Sequence, residues 1–156
     1  MGNIILVMKI EDEIKQKKFR NETHKLLINL LFTGSWVTNL NMQFLKPFGI
    51  TPQQYNILRI LRGQHPNAAT INLLQERMLD RMSNASRLVE KLRVKGLVGR
   101  CVSKDDRRAV DVVITEKGLT LLKEIDVLDD EFDSKLRNVD HHETKMLNDL
   151  LDKLRG

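Results

Sequence analysis

Apolar positions along the 156-residue chain follow first a helical period, then briefly a period of two, then a helical one again. Between Glu11 and Phe48, Leu26, Leu27, Leu30, Leu31, Val37, Leu40, Phe44 and Leu45 form a helical stripe, which predicts one long helix with Gly34 as a place to bend. Pro47 and Gly49 should stop it, because proline breaks the hydrogen-bond ladder and biases Lys46 out of the helix. Thr51, Pro52 and Gln54 then supply a cap, a first helical residue and a capping-box partner, opening a helix with Tyr55, Ile57, Leu58 and Leu61 inward. Gly63 to Ala69 is expected to be a loop. Thr70 should cap a short helix through Met78, with Ile71, Leu74 and Met78 inward.

After a turn at Leu79 to Met82, Ala85, Leu88, Val89 and Leu92 fall on one helical stripe, and Ser83, Asn84, Ser86, Arg87 and Lys91 occupy the other face. Ser83 suits the N-cap, and Gly96 suits a left-handed C-terminal position. The period then becomes two. Arg100 and Val102, then Val110, Val112 and Ile114, flank Lys104-Asp-Asp-Arg-Arg108, the pattern of a hairpin with an exposed tip. A short helix, a turn, a second helix and a basic-tipped hairpin make a winged helix-turn-helix, so the expected class is mainly α with a small β-hairpin wing (α+β). Beyond the wing, Thr115 should cap a long helix carrying Leu119, Leu122, Ile125, Leu128, Phe132 and Leu136 and running to about Arg137. Asp140 and Glu143 repeat the capping-box pattern before a last helix with Met146, Leu147, Leu150, Leu151 and Leu154.

The polar side chains at the start of the second helix are of the types that hydrogen-bond base edges and phosphates. Ser83, Asn84, Ser86 and Arg87 are therefore expected at a base or phosphate, in preference to forming only an exposed, capped helix start. Two adjacent arginines at the hairpin tip, Arg107 and Arg108, suit a narrow and negative minor groove better than a merely solvated turn. Arg81, Lys91 and Lys104 suit phosphates.

Residues 50–122 resemble the winged-helix core of the multiple antibiotic resistance regulator (MarR) family on three segments. These are Ile50-Thr-Pro-Gln-Gln-Tyr-Asn-Ile-Leu-Arg-Ile-Leu61, Ser86-Arg-Leu-Val-Glu-Lys-Leu-Arg-Val-Lys-Gly-Leu-Val-Gly-Arg100, and Asp106-Arg-Arg-Ala-Val-Asp-Val-Val-Ile-Thr-Glu-Lys-Gly118. The family's Asp-x-Arg element falls on Asp106 and Arg108; the resemblance implies that the arginine enters the minor groove and the aspartate orients it. It also implies a symmetric homodimer built by interleaved terminal helices, a double-stranded DNA partner with a pseudo-palindromic operator, and a small, often phenolic, anionic effector. Phe32, Trp36 and Tyr55 are expected in the core in preference to a ligand pocket, and the resemblance makes them the candidate effector contacts. The implied organisation is a single domain over 1–156: an N-terminal dimerisation helix at about 11–48, a winged helix-turn-helix at 50–115 with its wing at 97–114, and C-terminal dimerisation helices at 116–156. The expected function is a dimeric repressor released by its effector. The alternative is a winged helix used only for protein interaction, which would bury its wing.

Charge sharpens this picture. The net +5 is distributed as +5 over residues 1–79, +5 over 80–123 and −5 over 124–156, so a polyanion would meet the first two thirds. The single cysteine, Cys101, rules out an internal disulfide and suits a reducing cytoplasm. Redox sensing is disfavoured without a resolving thiol, and the reactive cysteine of the family's peroxide-sensing branch lies in the N-terminal helix, where this chain has none. His141, His142 and Glu143 are adjacent on a helix and point apart, so capping is favoured over metal binding. No nucleophile elbow or phosphate-cradling glycine loop is present, so neither an enzyme nor a cofactor is expected. No apolar run approaches the ~20 residues of a membrane helix, so no membrane partner is expected.

Overall fold

The computed structural model describes residues 8–102, 110–136 and 138–156. The elements in order are α1 (Ile10–Glu13), α2 (Glu22–Leu45), a 3-10 turn (Lys46–Phe48), α3 (Pro52–Gln64), β1 (Ala69–Thr70), α4 (Ile71–Arg77), α5 (Ala85–Val94), β2 (Val98–Val102), β3 (Val110–Ile114), α6 (Glu116–Asp126), α7 (Asp129–Ser134) and α8 (His141–Arg155). The chain divides into two compact units, Met1–Gly34 with Leu128–Gly156, and Ser35–Val127; α2 runs through Gly34 and contributes to both.

The Ser35–Val127 unit is the winged helix. Its core is the set of apolar positions that the helical periods single out, with Leu45, Ile57, Leu58, Leu61, Leu74, Val89, Leu92, Leu122 and Ile125 all at 0% exposure. The hairpin pairs antiparallel, Val98 opposite Ile114 through Val102 opposite Val110. Ala69 and Thr70 add a short third strand against Val112 and Asp111, giving the order β1-β3-β2. This strand replaces the end of the expected Gly63–Ala69 loop. Two residues are too few to show a period, and their ladder forms only with a partner some forty positions away.

Local caps hold where the sequence places them. Thr51 and Gln54 form a reciprocal capping box, Thr70 accepts from Leu73 N–H, Thr115 accepts from Gly118 N–H, and Asp140 and Glu143 form a second capping box. Gly49 and Gly96 take φ of 66° and 72°, the left-handed turns that end the elements before them. Gly118 is needed for another reason: a Cβ there would overlap the Leu97 carbonyl oxygen and lie 2.7 Å from Ile114 Cγ1. Its missing side chain lets α6 lie against the base of the wing.

Three expectations about helices and cores need correction. The N-terminal helix begins at Glu22, not Glu11, because Lys15 adopts φ of 54° after the four-residue α1 and interrupts the helix. The helix after the wing ends at Asp126; a new one starts at Asp129, where Asp129, Asp130 and Glu131 occupy its first turn and complement the positive end of the helix dipole. Its expected end at Arg137 lies outside the described residues. Phe32 and Trp36 are 38% and 45% exposed and do not belong to the core, because their own chain leaves them partly uncovered; only Tyr55 packs against the buried cluster.

Candidate nucleic-acid interface

α5 presents its polar face outward. Asn84, Ser86, Arg87 and Lys91 are exposed, as is Arg81 in the preceding turn, whereas Ala85, Val89 and Leu92 are buried. The cap is Asn84, whose side chain accepts from Arg87 N–H at 2.9 Å, and not Ser83. Ser83 instead donates its hydroxyl to Asp80 Oδ2 at 2.6 Å, so the shorter side chain closes the turn and leaves the helix end to the asparagine.

The turn before α5 is held by polar side chains from three places. Gln75 on α4 donates to the carbonyls of Arg81 (3.0 Å) and Ser83 (2.8 Å) and accepts from Ala85 N–H (3.1 Å). Asn56 on α3 accepts from Leu79 N–H at 2.9 Å. Asp80 accepts from Met82 N–H at 3.1 Å; together with the Ser83 hydroxyl, the larger influence, this holds the Asp80 carboxyl below its ordinary range. Gln75 and Asn56 were not singled out in the sequence, because the groups they serve lie 6 to 23 positions away.

A second set of contacts joins α5 to the wing. Glu90 binds Arg93 one turn along α5 at 2.8 Å and Arg100 on β2 at 3.1 Å, and the Arg93 guanidinium holds the Glu90 carboxyl below its ordinary range. Lys95 donates to the Gly49 carbonyl and Lys117 to the Lys95 carbonyl at 2.9 Å, closing the helix's C-terminal end. On the far side of α3, Arg62 makes a bidentate pair with Asp126 at 2.5 and 3.2 Å, tying α6 to the core.

Lys104, Asp106, Arg107 and Arg108, the expected wing-tip contacts, lie outside the described residues. The effector candidates are not assembled within one unit: Phe32 belongs to Met1–Gly34, and Trp36 and Tyr55 to Ser35–Val127. Tyr55 accepts a hydrogen bond from Arg59 at 2.9 Å. Cys101 is exposed, with its thiol 3.8 Å from the Asp111 carbonyl. Among the described residues, no three His, Cys, Asp or Glu side chains are grouped to hold a metal ion, and no helix is long and apolar enough to cross a membrane.

A polar reader helix, its turn fixed from α3 and α4 and its flank pinned to a small antiparallel sheet, defines a winged helix-turn-helix of the kind that binds DNA. The MarR family model matches residues 48–109. The HTH-type transcriptional regulator PapX of Escherichia coli is 21% identical over 127 residues, 80% of this chain and 77% of PapX. A mutant MarR from E. coli complexed with operator DNA superposes with a TM-score of 0.77 at 22% identity, covering 88% of this chain and 99% of that one. BpsR of Bordetella bronchiseptica, from a structure of the regulation of its DNA binding by 6-hydroxynicotinic acid, superposes at 0.73 and 20% identity, covering 89% and 96%. The winged core matches the MarR family model, and over most of its length the chain shares the fold of these MarR-type regulators.

Proposed function

We propose that the protein is a homodimeric, cytoplasmic repressor that binds a pseudo-palindromic operator and leaves it when a small anionic aromatic molecule binds. The observation that carries this reading is the exposed row Asn84, Ser86, Arg87 and Lys91 on a helix whose opposite face is buried and whose entry turn is hydrogen-bonded to Gln75. Rigid placement is what base reading requires, because a side chain free to wander discriminates poorly. Two reader helices in a dimer would mark half-sites about 10 bp apart. Asp106, Arg107 and Arg108 would extend the contact into the flanking minor groove, and Ser83, Arg81 and Lys104 would meet phosphates. The effector part rests on the BpsR likeness, with Phe32, Trp36 and Tyr55 as its candidate contacts.

Selection from a randomised duplex library, repeated at two salt concentrations, tests the reading. Arg87→Ala should cost each half-site about 1–3 kcal/mol on the preferred base and much less elsewhere. Asn84→Ser is the cleaner change at its position, since alanine would also remove the helix cap, worth ~1 kcal/mol. Arg108→Ala should weaken all duplexes and lower the log–log salt slope of the dimer by up to about 2 × 0.9. Equal losses on every sequence for the helix variants would end the base-reading proposal. Failure to retain any duplex at low salt would favour the protein-interaction alternative.

A further inference from the structure

Met82 is the most exposed large apolar side chain among the described residues, at 95%, and it sits two positions before the cap of the reader helix. Isolated apolar residues on a surface are ordinary. This one differs in its surroundings and its support. Along the chain it lies close to Arg81, Asn84, Ser86 and Arg87, all polar and all exposed. Its backbone is held on both sides: its own N–H donates to Asp80, and the Gln75 amide binds the carbonyls of Arg81 before it and Ser83 after it. Three hydrogen bonds thus hold the backbone on either side of one water-exposed apolar side chain, at the place where a helix-turn-helix meets the major groove.

The chemistry of the groove supplies the match. Hydrogen-bonding side chains read donors and acceptors on base edges, but the C5-methyl group of thymine is recognised only by apolar contact. An unbranched thioether, flexible and polarisable, adapts to such a group better than a branched side chain does. We propose that Met82 is a specificity residue that packs on a thymine C5-methyl at the edge of each half-site. This inference rests on the DNA-binding reading above.

Replacing thymine with deoxyuridine removes the methyl and keeps every hydrogen bond, so it isolates the contact. A duplex selected by the unmodified protein should be rebuilt with uracil at each thymine in turn and titrated against unmodified protein, Met82→Ala and Val94→Ala. Val94 is a suitable control, being 75% exposed at the far end of α5. The unmodified protein and Val94→Ala should lose about fourfold in affinity per half-site at one thymine position, the equivalent of about 0.8 kcal/mol for one buried methyl. Met82→Ala should bind the thymine duplex about as weakly as the unmodified protein binds the uracil duplex, and should be indifferent to the exchange. Tolerance of uracil at every position, or an unchanged uracil penalty in Met82→Ala, would overturn the inference and leave the DNA-binding reading standing. Selection of no duplex would overturn both. Met82 supports no core contact, so Met82→Ala should keep the thermal midpoint of the unmodified protein, and any lost methyl sensitivity belongs to the contact itself.

Discussion

Gln75 serves three backbone groups with one amide, and no charged residue near the turn does as much. Gln75→Ala would leave two carbonyls and one N–H without that partner. The expected cost is about 1–3 kcal/mol of unfolding free energy in a urea titration. Gln75→Glu, which still accepts from Ala85 but once ionised turns a carboxylate oxygen toward the two carbonyls, should cost at least as much as Gln75→Ala. Asp80 adds a pH dependence of known sign. Its carboxyl is held below its ordinary range by Ser83 and Met82, so the stabilisation is present above the unfolded-state value and is lost as pH falls through the folded-state value. Amide exchange at Met82 and Ser83, corrected for its intrinsic pH dependence, should therefore accelerate in acid before the winged core melts. Asp80→Asn should abolish that acid limb; an unchanged limb would assign it to another carboxylate.

At the scale of elements, Glu90 is the hinge pin between reader helix and wing. Its ion pairs with Arg93 and Arg100 are part-exposed, so Glu90→Gln should change stability by less than about 1 kcal/mol. The larger effect is electrostatic: two arginines lose their neutralising partner, and binding to random-sequence duplex should tighten at low salt. Weaker binding in that titration would mean that the clamp's hold on the wing outweighs the charge. The elements themselves were legible from sequence wherever their signal is local. Thr51 with Gln54, Asp140 with Glu143, Thr115 and Gly96 each act within four residues, and each does what its type and spacing imply. The breaks at Lys15 and Val127 were not legible, because Ile14 and Leu128 keep the apolar period going across them. Nor was the Gln75 clip, whose chemistry depends on which segment folds beside it. The polar face of α5 was legible and proves exposed; the exchange of cap from Ser83 to Asn84 turned on a preference too small for sequence to rank.

For the whole molecule, the dimer proposal is supported by exposed apolar side chains in the terminal unit. α8 has no buried residue among those described, and Met146, Leu147, Leu150 and Leu154 are each at least half exposed. Leu26, Leu27 and Leu31 on α2 are likewise uncovered. Sedimentation at low micromolar concentration should give about twice 18.1 kDa. Because Leu147 is already half exposed within its own chain, Leu147→Asp should halve that mass and leave the winged core's melting transition in place; loss of the core transition would show that the terminal helix supports folding directly. If a partner chain is what covers α8, the helix also acts as a counting device. If each operator needs two chains, occupancy at low copy number rises with the square of the number of chains, while unpaired copies offer a bare helix to proteases and disappear first. Scarcity would then be amplified twice, in assembly and in lifetime, giving a regulator of this build a threshold in abundance even before any effector arrives.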